Sequence, residues 1–98
     1  ENYIKPEHIK IQAPYPNPFN NSINLDYKLF KDSNVKIVIF DIKGNLIKIL
    51  FSGKQISGYK SIKWNATNDK GEIVSAGEYL VKIEIGDFAQ TKKMIFLK

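Results

Sequence analysis

Cysteine is absent from this 98-residue chain, arginine is absent too, and histidine, methionine and tryptophan occur once each. Without cysteine, no disulfide, thiolate-zinc site or cysteine nucleophile can form. The single histidine, His8, lies in the polar opening stretch, so a nucleophile–histidine triad has no base to draw on and His8 reads as a surface residue. No uninterrupted apolar run exceeds four residues, as in Ile37-Val38-Ile39-Phe40. A bilayer-spanning helix needs roughly 20, so membrane insertion is not expected. Six glycines and four prolines are too few for a collagen-like or low-complexity chain. What remains is a globular composition, 43% hydrophobic and 26% charged, and a chain of this length supports one core.

The charge is one-sided: fifteen lysines against ten acids, a net +5. Lys28, Lys36, Lys48, Lys60, Lys63 and Lys82 stand singly inside apolar-alternating segments, where lysine commonly faces solvent and guards sheet edges. With no arginine for bidentate phosphate or guanine contacts, nucleic acid is not the expected partner. The chain opens on Glu1, and its first twenty residues show no basic start followed by an apolar stretch and a small-residue cleavage site. Residues 2–7 mix polar and charged side chains around Pro6. The expectation is a module taken from the end of a longer polypeptide, with residues 1–12 as a linker or first edge strand and residues 13–98 as the folded domain.

Period-two alternation dominates. Ile23, Leu25, Tyr27 and Leu29 fall on one face of a predicted strand, with Asn24, Asp26 and Lys28 on the other. Tyr79, Val81, Ile83 and Ile85 repeat the pattern, with Leu80 breaking the polar side. Residues 35–41 are apolar on both faces at their far end, through Val38 and Phe40, which predicts a central strand covered on two sides. Residues 46–51, 59–65 and 89–97 complete the set. Lys43-Gly44-Asn45 predicts a hairpin, Asn68-Asp69-Lys70-Gly71 a second such turn, and Gly53, Gly58, Gly77 and Gly86 punctuate the rest. About seven short strands and no helical periodicity predict an all-β fold, an antiparallel immunoglobulin-like β-sandwich with Ile62, Trp64 and Tyr79 among its larger core side chains.

Candidate chemistry is sparse. Asn65, Thr67, Asp69 and Glu72 approach a calcium loop, but residues 65–72 lack its repeated acidic positions and read as an Asx-type turn. The pairs Asp26 with Asp41 and Glu78 with Glu84 are better explained as outward strand charges than as glycosidase carboxylates. No glycine-rich phosphate cradle occurs. A sugar-stacking platform needs at least two outward aromatics on one sheet face, and Tyr27, Trp64 and Tyr79 read as inward. No catalytic, cofactor or metal site is therefore expected, and the chain reads as a non-enzyme. Asn20-Asn21-Ser22 and Asn65-Ala66-Thr67 match the short glycosylation acceptor pattern.

The segment Pro14-Tyr15-Pro16-Asn17-Pro18-Phe19-Asn20 resembles the Y-P-N-P-F-N signature that opens the type A C-terminal sorting domains of type IX secretion cargo and the related immunoglobulin-like domain of the flagellar hook-capping protein. Phe40-Asp41-Ile42-Lys43-Gly44 resembles the family's aromatic-Asp-x-x-Gly hairpin, and Gly58-Tyr59 with Trp64-Asn65 its G-x-x-x-x-x-W element. Asn68-Asp69-Lys70-Gly71 resembles its polar turn, Ser75-Ala76-Gly77-Glu78-Tyr79 its small-Gly-x-Tyr strand entry, and Lys92-Lys93-Met94-Ile95-Phe96-Leu97-Lys98 its closing K-K-M strand. Asn21 and Glu78 depart from the usual pattern. Physically, Pro14, Pro16 and Pro18 stiffen a crossing segment, so that Tyr15 and Phe19 are expected to be pinned into the core.

The resemblance implies a non-catalytic, monomeric sorting module that directs an upstream cargo domain through the periplasm to the cell surface or extracellular space of a Gram-negative bacterium. It implies an outer-membrane translocon and a sortase-like peptidase as partners. On this reading Lys92, Lys93, Met94, Phe96 and Lys98 are the candidate recognition residues, charge and apolar anchors together. The alternatives are a structural immunoglobulin-like spacer packed on a neighbouring domain and, third, a carbohydrate-binding module.

Overall fold

The computed structural model describes residues 9–98, so His8 and the linker-like residues before it lie outside the described residues. Seven strands follow one another: β1 (Ile9–Ile11), β2 (Ile23–Leu29), β3 (Ser33–Asp41), β4 (Leu46–Gln55), β5 (Gly58–Trp64), β6 (Gly77–Ile85) and β7 (Phe88–Phe96). They form a three-stranded sheet, β1-β2-β5, packed on a four-stranded one, β4-β3-β6-β7, and every strand pair is antiparallel. The fold is the predicted all-β, immunoglobulin-like sandwich.

Alternation sets which side chains meet between the layers. Ile23, Leu25, Tyr27 and Leu29 of β2 face Val35, Ile37 and Ile39 of β3, and Val81, Ile83 and Ile85 of β6; all are buried. Burying even one such aliphatic side chain is worth about 1.5–3 kcal/mol, so this interleaved layer dominates folding. β3 is central in its sheet, and Val38 on its outer face is only 4% exposed, in keeping with its apolar character on both sides. Ile62, expected among the larger core residues, is only partly buried against the cluster.

The large aromatics bring polar tips that the core must satisfy. Trp64 donates its indole N–H to the carbonyl of Thr67 at 2.9 Å, Tyr27 its hydroxyl to Gln55 Oε1 at 2.6 Å, and Tyr79 its hydroxyl to the carbonyl of Ser75. The Tyr79 contact, at the start of β6 and four residues back along the chain, is the tyrosine corner seen in immunoglobulin-like sandwiches. Among the described residues no buried side-chain polar atom is left without a partner.

The turns follow side-chain chemistry. Asp41 accepts hydrogen bonds from the backbone N–H groups of Lys43 and Asn45, both at 2.9 Å, and closes the β3–β4 hairpin with Gly44 at φ +91°. Asn68 does the same for Lys70 and Glu72, with Gly71 at φ +81°. This second turn joins no hairpin of neighbouring strands, since β5 and β6 lie in different sheets; an isolated bridge between Thr67 and Ile73 closes it. A Cβ at Gly44 or Gly71 meets nothing within 4 Å, so any cost of alanine there is backbone strain alone. Gly44→Ala and Gly71→Ala are each expected to lower stability by about 1–2 kcal/mol in urea titrations. Gly53→Ala, outside the left-handed region and meeting only the Phe51 ring at 3.6 Å, should be near neutral; three equal values would refute this account.

Candidate functional site at the closing strand

After β1 the chain changes sheets. Gln12 donates its N–H to the carbonyl of Asp26, and Tyr15 exchanges two backbone hydrogen bonds with Asn24 of β2, at 3.0 and 2.7 Å. Four residues later the chain pairs with the other sheet: Phe19 N–H donates to the carbonyl of Ile95 at 2.9 Å, and Leu97 N–H to the carbonyl of Phe19 at 2.8 Å. Between these anchors Tyr15-Pro16 and Asn17-Pro18 are both cis peptide bonds. Proline carries no N–H, so Pro16 and Pro18 add no donor to the crossing stretch that would need a partner.

Asn17 is the clamp within this crossing. Its side-chain amide donates to the carbonyl of Lys93 and accepts from the N–H of Ile95, both at 2.9 Å. One carboxamide thus presents the donor and acceptor of a strand residue, and the outer edge of β7 is capped before Phe19 takes over. The Phe19 ring, 1% exposed, stacks on Phe96 at 5.2 Å and tilts against Trp64 at 5.8 Å; Trp64 in turn meets Tyr79 edge-on at 5.3 Å. Four signature positions from four segments therefore make one aromatic row at the end of the core.

Tyr15 departs from expectation. It is 47% exposed rather than pinned in the core, because its pairing with Asn24 turns the ring outward, where the hydroxyl donates to Asp26 Oδ2 at 2.6 Å. Ser61 donates to the other carboxylate oxygen, also at 2.6 Å. These two donors hold the Asp26 carboxyl below its ordinary value, Ser61 contributing most and Tyr15 next. The same contact pushes the Tyr15 hydroxyl up. Asp41 is likewise held low, chiefly by the Asn45 side chain and backbone.

The expected recognition residues do not form one surface. Met94 and Phe96 are 2% and 4% exposed, so the expectation that they serve as apolar anchors is corrected: alternation along β7 points both into the sandwich. Lys93 and Lys98 are exposed, with Lys93 3.5 Å from Glu78, and Lys92 is half-buried on the inward side. Leu97, 48% exposed, is the outward apolar residue that the sequence reading missed, although the same alternation marks it. It shares a shallow depression with Pro16, Pro18, Asn20 and Asn21. The remaining signature positions lie in turns and at strand starts: Asp41 and Gly44 in one turn, Gly71 in the other, and Gly58 and Gly77 at the starts of β5 and β6 with φ +125° and +150°.

In the 65–72 segment the side-chain oxygens are engaged by the turn and by the adjoining β4: Asn65 accepts from the Thr67 hydroxyl, Asn68 from two backbone amides of the turn, and Asp69 from the N–H of Ile49 in β4. Among the described residues no group of three or more His, Asp or Glu side chains could hold a metal ion. The outer face of the three-stranded sheet carries aromatics that sequence reasoning did not place there: Tyr59 is 78% exposed, and Phe30 follows just after β2 at 49%.

Two outcomes follow from the clamp and the carboxylate. Asn17→Ala, which removes two hydrogen bonds, should cost about 2 kcal/mol and speed amide exchange at Ile95; unchanged exchange there would refute the clamp. Because the folded-state pKa of Asp26 is depressed, its contribution is complete above the ordinary value of 3.8 and is lost as pH falls through the lower folded value. Carboxyl-carbon titration by NMR should show Ser61→Ala raising the Asp26 pKa more than Tyr15→Phe does, and the reverse order would contradict the assignment.

The FlgD Ig-like domain family matches residues 20–87, more than half of the chain. Among solved structures the chain is similar to the crystal structure of dimeric latent PorU from Porphyromonas gingivalis, at 26% identity and a TM-score of 0.75, over 91% of this chain and 9% of that one. It is also similar to Pseudomonas fluorescens alkylpurine DNA glycosylase AlkC bound to DNA containing an abasic site analog. That match has 14% identity and a TM-score of 0.62, over 93% of this chain and 31% of that chain, and it shows the fold alone. The chain thus spans only a small part of either protein's length, and no curated protein matches it. On the sequence match and the sandwich together, the chain belongs to the FlgD Ig-like domain family.

Proposed function

We propose that this domain is a non-catalytic C-terminal sorting module that carries an upstream cargo domain through the type IX secretion machinery to the cell surface. The observation that carries the reading is the interlock of the opening signature with the closing strand through Asn17 and Phe19, which holds Leu97 outward beside Pro16 and Pro18, with Lys93 and Lys98 exposed on the same closing segment. A machine that exports unrelated cargos needs a surface that does not depend on the cargo, and this one is built entirely within the module. The resemblance of the same two segments to the sorting-domain signatures supports the reading. So does the likeness to a small portion, 9%, of the PorU chain, as expected of an appended module. On this reading the translocon meets the exposed members of the closing segment, charge at Lys93 and Lys98 and an apolar contact at Leu97.

A structural spacer role is favoured by a different observation. The outer face of the four-stranded sheet is apolar around Val38, Phe40 and Leu80, with Leu46 and Ile49 exposed at 53% and 41%, a surface suited to packing on a neighbouring domain of the same polypeptide.

The test is export of a fluorescent periplasmic passenger fused to the module in a host with the machinery. Truncating residues 92–98 would remove Met94 and Phe96 from the core, so lost export could reflect unfolding. Replacing Lys93 and Lys98 by glutamine together with Leu97→Ser touches only exposed positions. This triple variant should keep its urea midpoint and lose export by about tenfold, a difference of about 1.4 kcal/mol in recognition. Full export at unchanged stability would reject the sorting surface, while export falling only with Leu46→Lys or Ile49→Lys would favour the spacer.

A further inference from the structure

We infer that the outer face of the three-stranded sheet is a binding site for an acidic saccharide, a site separate from the sorting surface and independent of the sorting proposal. Strand register brings its parts together. Turning Leu25, Tyr27 and Leu29 into the core leaves Asp26 and Lys28 outside, and pairing sets Tyr59 beside Lys28 and Ser61 beside Asp26. Lys10 of β1 pairs with Lys28 from the other side, completing a row across all three strands.

Tyr59 supplies the stacking plate. At 78% exposure its ring adds little to the core. The Lys28 ammonium lies 4.5 Å from the ring centroid and 4.9 Å from that of Phe30, and its Nζ is 3.5 Å from the Tyr59 hydroxyl. A cation over one face holds the ring in place and leaves its opposite face in water, a flat apolar surface of the kind that the C–H face of a pyranose covers. Beside the plate, Asp26 accepts one hydrogen bond on each oxygen, from Ser61 and Tyr15, and an ionised carboxylate retains further acceptor capacity for sugar hydroxyls. Because the partners of Asp26 fix its rotamer, the acceptor is preorganised.

Charge selects the acidic class. The depression between Tyr59 and Asp26 is lined by the cross-strand pair Lys10 and Lys28, and Lys63 pairs with Asn24 on the same outer face, so one carboxylate stands among three lysines. In a uronic acid chain the ring on the free face of Tyr59 supplies the stacking surface, and the carboxylate of the next ring, past the edge of the plate, meets the ammonium groups of Lys10 and Lys28. The depression is shallow, about 230 Å³, below the roughly 300 Å³ at which enclosed small-molecule clefts begin. That size suits one or two rings of an extended chain lying on the sheet.

Tetragalacturonate and neutral cellotetraose, titrated into the domain and followed by amide chemical shifts, test the site. Binding of the acidic probe should be weak, in the range of about 0.1–1 mM, with shifts centred on Lys28, Tyr59 and Ser61. Tyr59→Ala should weaken it by about tenfold, Lys28→Gln should bring the acidic probe down to the level of cellotetraose, and Lys36→Gln on the other sheet should change nothing. No shifts at about 10 mM probe would overturn the inference. So would binding that survives Tyr59→Ala, which would mean adsorption to lysines alone, or cellotetraose binding as tightly as the acidic probe. Tyr59 is exposed, so loss of binding at an unchanged urea midpoint separates a lost contact from a lost fold.

Discussion

The junction between the segment after β1 and the final strand is the constraint on which the sandwich depends. Asn17 and the strand it clamps are 76 and 78 residues apart along the chain, at Lys93 and Ile95 respectively. Closing so long a loop carries a large entropic cost, which grows only slowly with length, and it is offset here by two side-chain hydrogen bonds, two backbone ones and the burial of Phe19 between Phe96 and Trp64. Without Phe19 in place, Phe96 and Trp64 would lose their shared neighbour and the end of the core would open to water. The crossing also blunts an edge. β7 lies at the margin of its sheet, and its last residues would otherwise offer unpaired amides and carbonyls to another chain.

Elsewhere local preferences and the global fold agree. Aspartate or asparagine initiates each polar turn and glycine occupies its left-handed position, so turn geometry is written into the same few residues at 41–45 and 68–72. Ala66 is the exception, buried and at φ +60° without being glycine. The left-handed bend there turns the chain out of β5 and lets the carbonyl of Thr67 return to the Trp64 indole. A buried tryptophan needs that acceptor, and its satisfaction offsets a conformation that an L-residue rarely adopts.

How much of this could be read in advance depends on the range of the interaction. Strands β2, β3 and β6 are legible because alternation is a local property, and their residues meet the core as the pattern predicts. The same rule, carried along β7, places Met94 and Phe96 inside and Leu97 outside; reading the closing residues for chemistry rather than for period reverses that placement. Counting back from buried Trp64 in steps of two puts Ile62 and Lys60 on the inner side and leaves Tyr59, Ser61 and Lys63 outside. The position of Tyr15 was not legible. It follows from pairing with Asn24 and from a carboxylate eleven residues away, and no local period encodes either. The Asn17 clamp was equally hidden, since an asparagine between prolines reads as a turn residue until the distant strand is beside it.

The two outer faces show how one core can serve separate surfaces. Both sheets turn aliphatic side chains inward, yet outside they diverge. The four-stranded sheet keeps an apolar centre and sets two of its lysines in ion pairs, Lys82 with Glu84 at 3.6 Å and Lys93 with Glu78 at 3.5 Å. The three-stranded sheet leaves its lysines largely unopposed around Tyr59. Exposed ion pairs contribute little stability, so folding does not require this asymmetry. Since β2 and β5 would bury Leu25 and Trp64 equally well with any polar residues on their backs, the clustering of lysine, an ordered aromatic and a doubly bonded carboxylate on one face is explained by what that face meets, not by what lies beneath it.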